Sequence, residues 1–168
     1  MPCQTCKSSS PWRAGWLFQD NSPMHPFHTI FLDFLGPYQR SAKGFHYILH
    51  ILDAFSGYSI LTPTVKATAR TVAEILWKEI LTKHGIPFRL HADRGSQFLS
   101  SILKRICAML HINQTFTSPY HPQGNGKTEN RHRPIKHLLR ILANKHPASW
   151  DDHIDAIGFN INCVPRDG

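Results

Sequence analysis

The chain has 168 residues, 41% of them hydrophobic and 18% charged, which suits one globular domain with enough residues to bury a core. No apolar run approaches the roughly 20 residues a membrane-spanning helix needs, and the opening "MPCQTCKSSSPW" lacks the apolar stretch of a secretory signal. Nineteen Lys/Arg against eleven Asp/Glu give a net charge of +8. Between Lys104 and His146 there are eight Lys or Arg and one acid, Glu129, so most of the excess is local. Evenly spread charge would read as a solvated surface; concentrated charge points to a polyanion, nucleic acid above all. With no signal segment, the four cysteines Cys3, Cys6, Cys107 and Cys163 are expected to form no disulfides, and Cys107, within "RICAML", reads as a small core residue.

In chain order, residues 1–26 are Ser-, Pro- and polar-rich and read as an extended lead-in. Residues 27–36 (FHTIFLDFLG) predict a strand whose apolar run is interrupted by Asp33; residues 44–53 and 57–65 predict two more, and the short link between them suits an antiparallel pair. Residues 71–85 predict a helix, with Thr71 and Glu74 in a capping-box pattern, Val72, Ile75, Leu76 and Ile80 at helical spacing, and Gly85 and Pro87 as the stop. A strand over 87–93 ends at Asp93, a helix follows over 100–110, and a short strand covers 112–116. Residues 117–126 (TSPYHPQGNG) have no hydrophobic period and read as a loop. A long helix over about 127–144 carries Ile135, Leu138, Leu139 and Leu142 as one buried stripe, and a last helix over 149–161 begins at Ser149, its expected cap. Three strands, helix, strand, helix, strand, helix, helix imply an α/β sheet with helices on both faces.

Three carboxylates stand out. With about 100° per residue and Glu129 at zero, Arg133 falls near 40°, Lys136 near −20° and Arg140 near 20°, while the apolar stripe centres near 230°. Glu129 thus heads a basic stripe on the polar face. The simpler reading is a surface Glu–Arg pair worth a few tenths of a kcal/mol; the functional one is a metal ligand beside a phosphate-binding stripe. Asp33 within an apolar strand is costly unless paired, hydrogen-bonded or metal-bound. Asp93 ends a strand, where sites form in open α/β sheets. A few carboxylates suit hard divalent ions such as Mg²⁺, which in pairs serve phosphodiester chemistry. Asp53 and Asp20 also stand near strands, and physics alone leaves them in contention.

"FLDFLGP", "HADRGSQFLS" and "SPYHPQGNGKTEN" closely resemble the catalytic core of retroviral and LTR-retrotransposon integrases, nearest to the Gypsy-type branch. The 35 residues between Asp93 and Glu129 fit that family's D,D(35)E signature, and the resemblance covers about residues 27–165. It implies an RNase H-like fold, a five-stranded mixed sheet flanked by helices on both faces. It implies that Asp33, Asp93 and Glu129 are catalytic and bind two Mg²⁺ or Mn²⁺ ions, for 3′-end trimming of a donor DNA and strand transfer into a target duplex. It places Ser118, Tyr120, His121, Gln123, Asn125 and Lys127 at the DNA, joined by the stripe Arg133, Lys136 and Arg140. It implies a homodimer or higher oligomer acting in the nucleus, with no membrane partner. Cys3 and Cys6 resemble the end of the family's zinc-binding module, so residues 1–26 read as its remnant plus a linker and 27–168 as a C-terminally short core. Half a site binds no zinc alone; His25 and His28 fit no common finger, and His46, His50, His132 and His137 read as structural or surface residues.

The sequence departs from the family at Asn130 and His132, where relatives carry Arg and Asn, and at Pro134. An interior Pro costs about 3 kcal/mol, so the long helix is expected to begin late or kink there. The departures and short ends suit an alternative, a non-catalytic relic that binds nucleic acid or a protein. A transposase or RNase H of the same fold is a third reading, opposed by the wording of all three motifs.

Overall fold

The computed structural model describes residues 23–117 and 126–163, and within these every side chain except those of 126–134. Five strands form one sheet: β1 (Thr29–Leu35), β2 (Tyr47–Asp53), β3 (Ser59–Thr64), β4 (Arg89–Ala92) and β5 (Asn113–Phe116), in the order β3-β2-β1-β4-β5. β1–β2 and β2–β3 are antiparallel, whereas β1–β4 and β4–β5 are parallel. The mixed pattern follows from the connections. Short links suffice for the β1–β2–β3 meander, while each parallel pairing needs a helical crossover.

The first crossover is α1 (Ala69–Ile75), a π-helical turn over Leu76–Leu81 and α2 (Thr82–His84). Val72, Ile75, Leu76 and Ile80 are buried as the spacing requires. The cap differs from expectation: Thr68 accepts from the Thr71 amide, and Glu74 pairs instead with Arg70 at 2.8 Å. The reason is that the helix starts two residues earlier than the pattern suggested, so Thr71 lies inside it. Gly85, at φ +87°, ends the run.

The second crossover holds an unexpected short helix, α3 (Ser96–Leu99), and then α4 (Ser101–Met109), whose Ser100 side chain accepts from the Leu103 amide. α5 (Gly126–Lys145) follows, then a 3₁₀ turn over Trp150–His153 and α6 (Ile154–Cys163). Two expectations for this part need correcting. α5 starts well before Pro134 and runs through it, so a late start is excluded. Ser149 makes no side-chain capping bond.

One core joins Ile30, Leu32, Leu49, Ile51 and Leu90 of the sheet to α1, α3 and α4; a second joins Leu35, Ile48 and Leu61 to α5 and α6. The fold is therefore α/β/α in three layers. On α5 the buried line is Ile135, Leu139 and Ala143, with Leu142 at its edge and Leu138 44% exposed. A row of i, i+4 residues meets the sheet, so Leu138 falls outside the stripe assigned to it. The basic stretch is also divided: Lys104 and Arg105 are exposed on α4, over one face of the sheet, and Lys136 and Arg140 on α5, over the other. Charge that is contiguous in the sequence is thus not one patch.

Candidate active site

Alternation along β1 sends Ile30 and Leu32 to one core and Leu35 to the other, so Asp33 shares the Leu35 face, the one covered by α5. Leu32 pairs with Ala92 as the last step of the β1–β4 register, and the next residue on each strand is an acid. Asp33, inside β1, and Asp93, just past the end of β4, therefore follow the last paired residues of two parallel strands, near the strand ends at which open α/β sheets build sites.

Asp33 is held by an ion pair. Lys136 on α5 places Nζ 2.6 Å from Asp33 Oδ2, with the carboxylate side chain 23% exposed and the lysine 51%. Across β2, the register partner of Asp33 is His50, which is fully buried with Nε2 3.2 Å from Ser59 Oγ. The structural reading of His50 holds. After β1 the chain turns through Gly36, at φ +117°, where a Cβ would meet the His46 carbonyl at 2.8 Å. Tyr38 then comes close enough to sense Asp33. Burial, aided by the Asp33 charge, raises its phenol above the ordinary 10.0.

Asp93 is exposed, and its Oδ1 accepts from the Gly95 amide at 2.9 Å. The loop that carries it is pinned beneath by Phe98 of α3, which is fully buried and stacks on Phe34 with centroids 5.7 Å apart. Gln114 Nε2 donates to the Phe98 carbonyl at 2.8 Å, and the Thr117 amide to that of Ala92 at 3.0 Å, tying β5 to the same loop. His91, on the face of Asp93, sits between the Thr115 and Thr117 hydroxyls, and burial, then Arg89, lowers its pKa.

Asp53 drops out of contention. It is fully buried at the other end of β2, where Oδ1 accepts from the Phe27 amide and Oδ2 from the Ser56 amide and hydroxyl. It is a turn-forming acid with its lone pairs engaged. Asp20, Cys3, Cys6, Ser118, Tyr120, His121, Gln123 and Asn125 lie outside the described residues, as do the side chains of Lys127, Glu129, His132 and Arg133. The Glu129 backbone belongs to α5, seven residues before Lys136. Among the described residues, no group of three or more His, Cys, Asp or Glu could hold a metal ion. Cys107 is buried as expected.

A cleft of about 400 Å³ lies between the Phe34–Gln39 stretch and Lys136, Arg140, Ala143 and Asn144 of α5, and Lys136 on its wall is the residue that pairs with Asp33. Two of the three basic-stripe residues, Lys136 and Arg140, thus line one recess, and Lys136 links it to Asp33. The sequence pointed to the cations but not to Tyr38 and Gln39 opposite them. Their only signal was the Gly-Pro that bends the chain out of β1.

The Integrase core domain family matches residues 23–122, and the chain belongs to that family. It is 32% identical over 162 residues to the Pro-Pol polyprotein of feline foamy virus and 29% identical over 161 residues to the Transposon Tf2-3 polyprotein of Schizosaccharomyces pombe, each time over 95% of this chain. It spans only 14% and 12% of those polyproteins. Its fold is similar to a chain of the simian T-cell lymphotropic virus intasome in complex with PP2A regulatory subunit B56 gamma (TM-score 0.67, 22% identity, 85% of this chain and 51% of that one). It is similar too to the HTLV-2 integrase catalytic core domain in complex with magnesium, in a trimeric form (TM-score 0.62, 20% identity, 84% and 89%). The fold is that of the retroviral integrase cores, an RNase H-like sheet. No helix among the described residues is long and apolar enough to cross a membrane.

Proposed function

We propose that this chain is the catalytic core of a DNA integrase of the Gypsy-type retrotransposon branch, trimming donor 3′ ends and joining them to target DNA. The observation that carries the reading is that Asp33 and Asp93 each follow the last β1–β4 pair, Leu32 and Ala92, with Lys136 of α5, the helix of Glu129, reaching Asp33. The donor set fits hard divalent cations. It consists of carboxylate oxygens, and the Asp33 carboxylate already draws a cationic ammonium to 2.6 Å. Asp33, Asp93 and Glu129 would hold Mg²⁺ or Mn²⁺. When bound, such ions activate the attacking oxygen and stabilise the leaving one.

The chain's own residues supply the rest. In trimming, a water oxygen bonds to phosphorus and the P–O3′ bond breaks, so the donor 3′ oxygen departs as the free 3′ hydroxyl and the phosphate stays on the released end. In strand transfer, the donor 3′ oxygen forms the new bond and a target 3′ oxygen departs. Lys136 and Arg140 in the cleft supply backbone-directed positive charge, which gives salt-dependent, weakly sequence-selective binding. Ser118, Tyr120, His121, Gln123, Asn125, Lys127 and Arg133 extend the contact in this reading, which includes assembly as a dimer or higher oligomer in the nucleus.

The test is resolution of a branched oligonucleotide that mimics the integration product, with Mn²⁺ or Mg²⁺, comparing the parent chain with Glu129→Gln. Metal-dependent resolution that vanishes in the variant is the expected result. Salt-sensitive DNA binding with no resolution by either protein would instead favour the non-catalytic relic.

A further inference from the structure

The Lys136–Asp33 pair carries an inference that rests on the metal and DNA reading above. Its geometry joins two sites through one side chain. Nζ stands 2.6 Å from Oδ2 of an acid in the candidate metal set, while the same lysine lines the basic cleft with Arg140. We propose that Lys136 is an exchangeable counter-ion: it neutralises Asp33 when no divalent cation is bound and moves to a DNA phosphate when one is, so that metal and DNA each tighten the other's binding.

Geometry and elementary electrostatics support the exchange. Lys136 is half exposed, so its long stem can swing without unpacking α5, whose buried line is Ile135, Leu139 and Ala143. Its ammonium is a compact, rotatable point charge that suits carboxylate and phosphate alike. At equal distance a dication attracts Asp33 twice as strongly as the ammonium does, and then repels it. The repelled charge has somewhere to go, because Lys136 itself lines the cleft and Arg140 lies one helical turn further on. The Glu129 position is seven residues earlier, about 10.5 Å along the axis, so Lys136 and the third candidate acid share one side of α5. Reciprocity is a thermodynamic necessity: if metal frees Lys136 for DNA, DNA that holds Lys136 must favour metal.

The test is calorimetric titration of Mg²⁺ into the DNA-free chain for the parent, Lys136→Gln, Lys136→Arg and Asp33→Asn. It is paired with anisotropy of a labelled duplex with and without Mg²⁺ at fixed ionic strength. Melting curves check that each variant is folded. Lys136→Gln is expected to bind Mg²⁺ about fivefold tighter than the parent, the scale of a lost ion pair at the upper end for partly exposed groups. Lys136→Arg should stay near the parent, and the Mg²⁺-induced tightening on the duplex should disappear in Lys136→Gln. Unchanged or weaker Mg²⁺ binding by Lys136→Gln would overturn the exchange and leave Lys136 a plain DNA contact. A parent whose Mg²⁺ binding survives Asp33→Asn, or that binds none, would overturn the metal reading with it.

Discussion

The amide of Gly95 donates to Asp93 Oδ1 at 2.9 Å, and a Cβ built on Gly95 would stand 2.9 Å from that same oxygen and closer still to the Gln97 side chain. The loop after β4 thus seats its acid against Gly95, where an added Cβ would crowd the Asp93 carboxylate and the Gln97 side chain. Gly95→Ala should push the carboxylate aside and leave the core intact. The expected result is a melting temperature near the parent's with turnover on branched DNA about tenfold to a hundredfold lower, the range for misplacement of a reacting group.

Asp53 gives the opposite pattern. Its carboxylate satisfies the Phe27 and Ser56 amides and the Ser56 hydroxyl from a fully buried position. Asp53→Ala leaves those donors unpaired and should cost about 2–4 kcal/mol in urea unfolding. Its distance from Asp33 along the sheet means that Mg²⁺ affinity, measured where the variant is folded, should not change.

Trp150 holds the turn opposite α5 in place. Its indole N–H donates to the Gln39 carbonyl at 2.8 Å, and its ring lies 5.5 Å from that of Tyr38. Trp150→Phe keeps much of the apolar bulk but orphans the carbonyl, for an expected loss of about 1–3 kcal/mol by chemical denaturation. Because Tyr38 and Gln39 wall the cleft, DNA affinity should fall in the same variant.

His91 predicts an acid sensitivity. Burial, followed by Arg89, lowers its pKa in the folded chain below the ordinary 6.5. The unfolded chain therefore binds a proton first as pH drops, so the stability His91 contributes is present above pH 6.5 and lost as pH falls through its lower folded value. Melting temperatures across that range should decline less steeply in His91→Asn than in the parent.

The strands were legible as short apolar runs, as β1 illustrates, and most helices because their burial repeats every three to four residues, as in α1. α3 was not, since one buried anchor, Phe98, in "RGSQFLS" sets no period. The choice between Asp33 and Asp53 was equally closed to sequence: both are acids in apolar strands, and what separates them is the turn amides around one and the Lys136 ammonium at the other. That ammonium comes from a helix far along the chain, and no local pattern announces such a partner. The division of the basic stretch between two faces was hidden for the same reason, because β5 intervenes and carries the chain across the sheet.

The order of the strands also fixes when the site comes into being. β1, β2 and β3 are neighbours in sequence and in space, so their pairing closes only short loops; β4 reaches β1 only after the α1 crossover is in place. A nascent chain that has released only the meander holds Asp33 without Asp93 beside it. Two like charges are thus kept apart until the late, long-range step, and a half-made sheet does not yet carry the pair of acids.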